Sequence, residues 1–191
     1  MRKTPIASRS SGGAGSPGAL RCTIWPRSLD GPLPAPGPPA GFVVRGLAGE
    51  DDAAERAAHQ PELTTERYRA FMQAPGYDQD QDLVAVAPEA RFGAYCICWM
   101  DLANGVGEFE PVGTRPELRR RGLARAVVLD GFRRMKARGA HTALVRFEGE
   151  NAPARRSYGL VGCDVRSTTS SWPGAGSARG RREEGRARVV W

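Results

Sequence analysis

The chain has 191 residues, enough for one ordinary domain with a real core plus tails, and too few for two independent cores. Its 24 Gly and 15 Pro exceed what a packed domain uses. The net charge of +7 belongs to the ends, with +4 in residues 1–40, +4 in 166–191 and −1 in 41–165, which excludes a broad basic footprint built into the domain itself.

Residues 1–40 hold eight of the Pro and six of the Gly, including the run GPLPAPGPPAG, and read as a disordered, partly polyproline-like arm. A short β-prone run follows at residues 41–47 (GFVVRGL). The acids Asp51 and Asp52 then open an Ala-rich helix that Pro61 stops. A second helix is expected from Thr64 or Thr65 to Met72, with Tyr68, Phe71 and Met72 on its apolar side. Residues 83–87 and 92–100 are predicted as an antiparallel pair of strands, and Asn104-Gly105 marks a turn. In residues 108–114 (EFEPVGT), strict alternation puts Glu108, Glu110, Val112 and Thr114 on one side, while Pro111 removes a ladder donor and points to a bulge or an unpaired edge. A long helix over 123–138 carries Leu123, Val127, Gly131 and Met135 on one face, with Gly139 as its stop. Residues 142–147 read as a strand, Asn151 caps a short helix with Pro153 in its first turn, and 161–165 is expected to be a last weak strand. The domain therefore spans 41–165 and is of the α/β (α+β) class, followed by a basic low-complexity tail at 166–191.

Cys22, Cys96, Cys98 and Cys163, with His59 and His141, show no metal-ligand spacing, so no metal site is expected and the thiols read as buried side chains of a reducing compartment. Met1–Lys3 is followed by Ser, Gly and Pro and not by an apolar run, and the longest uncharged hydrophobic stretch, 92–100, is about half a membrane crossing. The expectation is a cytoplasmic protein with no membrane association.

The segment TRPELRRRGLARA (114–126) puts a strand end, an Arg/Gly turn and a helix start in succession. Free N–H groups and the positive end of a helix dipole suit a phosphate there, and Gly122 and Ala124 leave room for close approach. Charge supports the same anion site: residues 41–114 contain five basic and thirteen acidic side chains, residues 115–165 twelve and five.

Arg119, Gly122 and Ala124 match the Gln/Arg-x-x-Gly-x-Gly/Ala signature of the GCN5-related N-acetyltransferase (GNAT) family, and Asn151, Ala154, Ser157, Tyr158 and Gly162 resemble its later Asn-x-x-Ala-x-x-Leu-Tyr-x-x-x-Gly-Phe motif. The resemblance covers about residues 41–165. It implies a mixed central sheet flanked by helices and acetyl-CoA as acyl donor. It further implies that the backbone at Val112, Gly113 and Thr114 pairs with pantetheine, and that Arg119, Arg120, Arg121, Gly122, Leu123, Ala124 and Arg125 hold the phosphates. Asn151 resembles a pantetheine or loop contact, and Tyr158 the tyrosine beside the coenzyme sulfur, a candidate general acid. Glu110 is the first candidate base, with Glu108 next, because a strand carboxylate can take the amine proton directly or through water. Ser157, Cys163 and the absence of a hydrophobic last strand depart from the family pattern.

The expected function is acetyl transfer from acetyl-CoA to a primary amine of a small molecule or a protein. A catalytically impaired acyl-CoA-binding module is the second reading, and nucleic-acid association through the basic ends the third. Monomer and homodimer stay open.

Overall fold

The computed structural model describes residues 21–49, 51–60, 63–148, 151–163 and 170–171. The strands are β1 (Arg21–Ser28), β2 (Val43–Gly46), β3 (Asp82–Val86), β4 (Phe92–Asp101), β5 (Val106–Thr114), β6 (Thr142–Glu148) and β7 (Ser170–Ser171). The helices are α1 (Asp51–Ala57), α2 (Thr65–Met72), α3 (Leu123–Ala137) and α4 (Ala152–Leu160). Among the described residues the strands form one sheet in the order β2-β3-β4-β5-β6-β1-β7. Neighbours run antiparallel except β5 and β6, which are parallel, so the mixed sheet with flanking helices is as the resemblance implies.

Helices α2 and α4 start where a side chain caps the first turn. Thr64 accepts from the Arg67 N–H at the start of α2, and Asn151 Oδ1 accepts from the Ala154 N–H at 3.0 Å at the start of α4. Gly122, at φ 85°, precedes α3. The α3 stripe of Leu123, Val127, Phe132 and Met135 is fully buried against Cys96, Cys98, Phe109 and Val145 of the sheet. On the opposite face, α1 and α2 enclose a second cluster in which Ala53, Ala57 and Tyr68 meet Val84, Phe92 and Tyr95. A polar network stitches this second layer: Arg56 pairs with Asp82 at 3.2 Å with both side chains inaccessible, and Asp82 also accepts from the Tyr68 and Tyr77 hydroxyls. The Arg56 guanidinium lies 3.7 Å from the Tyr95 ring centroid.

Three expectations are corrected. Residues 21–28, assigned to the disordered arm, form a strand that pairs with β6 through seven residues and buries Trp25 edge-on to Phe147 at 5.1 Å. This strand occupies the sheet position beyond β6 for which the later sequence offers no hydrophobic run. In the expected strand at 161–165, residues 161–163 are not strand: Gly162 at φ 79° turns the chain, and the Cys163 N–H returns to the Tyr158 carbonyl at 3.0 Å, closing α4. Residues 164 and 165 lie outside the described residues, as do 1–20 and most of the 166–191 tail. The third correction concerns the phase of β5. Val112 faces Cys96 and Phe109 faces Cys98, so Glu110 and Pro111 together oppose Ile97 in a bulge. Phe109 and Val112 therefore both enter the core beneath α3, and Val112 does not share the side of Glu110.

Candidate active site

β5 keeps its ladder with β4 up to Thr114, but its pairing with β6 ends after Phe109 opposite Val145. Beyond that rung the two parallel strands fork. The bulge sits at the mouth of the fork, and the Trp99 Nε1–H donates to the Glu110 carbonyl at 2.7 Å, bracing it from β4. Among the described residues, no strand takes the β6-facing edge of residues 110–114, so its backbone groups are available to an extended ligand.

Past Thr114, the Arg115 N–H donates to the Gly93 carbonyl at 2.9 Å. The Arg115 guanidinium reaches the Phe92 carbonyl at 2.8 Å and Glu55 at 2.6 Å, tying α1 to the end of the fork. A 3₁₀ turn (Pro116–Leu118) and two left-handed residues, Arg120 at φ 63° and Gly122 at φ 85°, lead into α3. The Ala126 N–H bonds the Gly122 carbonyl at 3.0 Å, so among the described residues the N–H groups of Leu123, Ala124 and Arg125 are the unpaired donors of the first turn. A Cβ built on Gly122 would meet nothing within 4 Å, so open space adjoins the start of α3. Thr114 Oγ1 and Arg119 Nε are buried with no hydrogen-bond partner among the described residues. Arg120, Arg121 and Arg125 are exposed around the same turn.

The fork also gathers the titratable groups. Burial raises the Glu110 carboxyl to about 7; the neighbouring Glu108 charge adds to this and Arg146 opposes it. Glu108 accepts from Arg146 Nε at 2.9 Å. Tyr158, on α4, is buried against Phe147 with ring centroids 5.5 Å apart. Burial, then the Glu110 charge and the thiols of Cys163 and Cys96, push its phenol well above the usual tyrosine range, so it stays protonated. His59 packs edge-on to Tyr95 at 5.2 Å; burial and the positive charges of Arg115 and Arg56 lower it to about 4, leaving a neutral ring at the α1 side.

The structure thus brings Glu108, Glu110 and Tyr158 to the fork and Arg119–Arg125 to the turn. Val112 points its side chain into the core, and Gly113 lies against Tyr95, whose ring carbons and hydroxyl would stand 2.5–2.6 Å from a Cβ there. Asn151 uses Oδ1 as the α4 cap. Sequence reasoning missed Arg146, Trp99 and the Arg56–Asp82 pair. Alternation along residues 142–147 could have placed Arg146 opposite the core-facing Val145 and Phe147, but nothing local marks it as a partner of Glu108.

The sequence profile of the Acetyltransferase (GNAT) family matches residues 49–162. The chain is 33% identical over 149 residues to the mycothiol acetyltransferase of Streptomyces bingchenggensis, covering 72% of this chain and 47% of that protein. It is also 33% identical over 171 residues to the mycothiol acetyltransferase of Kineococcus radiotolerans, covering 83% and 55%. The chain therefore spans about half the length of the curated relatives it matches. Among solved structures it resembles a GCN5-related N-acetyltransferase from Sphaerobacter thermophilus with a TM-score of 0.65 and 28% identity, over 78% of this chain and 49% of that one. With the forked parallel strands and the open glycine turn leading into a helix, these matches establish that the chain belongs to the GNAT acetyltransferase family.

Proposed function

We propose that this chain transfers the acetyl group of acetyl-CoA to a primary amine, with Glu110 as the proton acceptor. The observation that carries the reading is a half-buried carboxylate, raised to about 7, placed at the mouth of a strand fork whose far end opens onto free helix N–H groups. The residues present fit an acyl-CoA. The empty space over Gly122, the orphaned Thr114 hydroxyl and the buried Arg119 Nε are features that an elongated phosphate ligand would fill or satisfy. Residues 112–114 would hold the pantetheine arm by backbone bonds, the 119–125 turn its phosphates, and Arg120, Arg121 and Arg125 would supply positive charge. Acetyl-CoA supplies an activated thioester.

The chain's own groups do the proton work. Glu110, half ionised near neutral pH, takes a proton from the acceptor nitrogen as that nitrogen becomes nucleophilic. Tyr158, kept protonated by its burial, is a donor for the departing sulfur, and solvent returns the two groups to their starting states. Asn151 supports the site by fixing the start of the Tyr158 helix. The relatives named mycothiol acetyltransferase favour a small-molecule acceptor over a protein. Thiol release from acetyl-CoA, followed over a panel of amines that includes the mycothiol precursor amine, tests the reading. Glu110→Gln is expected to lower turnover roughly 100-fold or more with acetyl-CoA affinity retained. Unchanged turnover in that variant would remove Glu110 from the role.

A further inference from the structure

Arg146 has no part in the reading above, yet it is the cation that faces the fork from β6. Glu108 stands opposite Leu144 on the last parallel rungs, and Arg146 lies two residues beyond Leu144 on the same face. Its Nε meets Glu108 Oε1 at 2.9 Å, with the two side chains 46% and 28% exposed. Glu110 follows Glu108 by two residues, just before the bulge reverses the phase of the strand. The titratable and charged groups that face Glu110 are Glu108 on its own strand, Arg146 on β6 and Tyr158 on α4. From β4 the indole N–H of Trp99 reaches Glu110, and it is spent on the backbone carbonyl.

We propose that Arg146 is a positioning residue for acetyl transfer: it clamps Glu108 against β6 as a fixed anion and leaves Glu110 as the carboxylate that faces the acceptor amine. This inference rests on Glu110 being the proton acceptor. Two carboxylates this close compete for ionisation, and whichever is paired with a guanidinium stays charged. The pair ties the Glu108 carboxylate to β6 and leaves Glu110 as the carboxyl without a guanidinium partner. Burial holds the Glu110 proton into the neutral range, the like charge pinned beside it adds to the effect, and the arginine limits it. The clamped pair also leaves a net negative mouth once Glu110 ionises, which suits an acceptor that arrives as an ammonium ion.

The test is a carboxyl carbon NMR titration of the full chain labelled with [5-¹³C]glutamate, from about pH 4 to about pH 10. The Glu110 resonance is the one missing from Glu110→Gln. Its midpoint is expected near 7 in the unaltered chain. It should rise by on the order of one pH unit in Arg146→Met, fall by a similar amount in Glu108→Gln, and return to the original value in Arg146→Lys. Midpoints that coincide in all four folded proteins would overturn the inference. So would a wild-type Glu110 that titrates with the ordinary surface glutamates. Neither outcome depends on the acceptor, whereas retained turnover in Glu110→Gln would sink the proton-acceptor reading by itself.

Discussion

Ionising Glu110 inside the fork moves a charge out of water, so its proton leaves at about 7, well above the ordinary value of 4.5. The folded chain therefore binds this proton more tightly than the unfolded chain does. The resulting stabilisation is complete below the unfolded value and is lost as pH rises through about 7. Glu110→Gln has no such loss. Compared with the unaltered chain, the variant is expected to gain on the order of 1–3 kcal/mol of relative stability between about pH 5 and about pH 8, read from urea midpoints at the two pH values. A constant difference between the two proteins would mean that Glu110 is solvated like a surface carboxylate.

At the scale of elements, β1 and the β5 bulge decide the shape of the site. β1 backs the outer edge of β6, and Trp25 and Leu29 of this segment join the main core with Phe147 and Tyr158. Trp25→Ala is expected to cost about 3 kcal/mol, the low end for such a truncation because the buried indole N–H has no hydrogen-bond partner among the described residues. A urea midpoint unchanged within error would mean that β1 is not part of the cooperative unit. These two features are also the ones the sequence conceals. The helices were legible because each carries its own punctuation: Thr64, Gly122, and Asn151 with Pro153. The inner strands were legible as apolar runs, and the phosphate turn through its glycine and arginines. β1 was not, because the surrounding Pro and Gly dominate the composition of the first forty residues. The bulge was anticipated from Pro111 but its phase was not, since one unpaired residue shifts every later side chain and only the partner strand shows where that occurs. The Arg56–Asp82 pair joins residues 26 apart in sequence and has no local signature.

Across the whole molecule, the acidic and basic halves of the domain interlock. Arg115 meets Glu55, Arg138 meets Asp78 and Arg146 meets Glu108, so part of the charge asymmetry is spent between elements. The arginines left without an ion pair among the described residues include Arg120, Arg121 and Arg125, which surround the start of α3. This residual positive charge coincides with free N–H donors and an open glycine, a combination suited to a compact anion and not to a long duplex. If this turn and fork hold acetyl-CoA, calorimetric titration of acetyl-CoA into the chain will register it. Saturable binding is predicted, little changed by Gly122→Ala beyond the strain of its left-handed backbone, and weakened at least about tenfold by Gly122→Trp, whose ring fills the open space. Folded protein that takes up no acetyl-CoA, or a Gly122→Trp variant that binds it as tightly as the unaltered chain, would rule out this turn as the acetyl-CoA site.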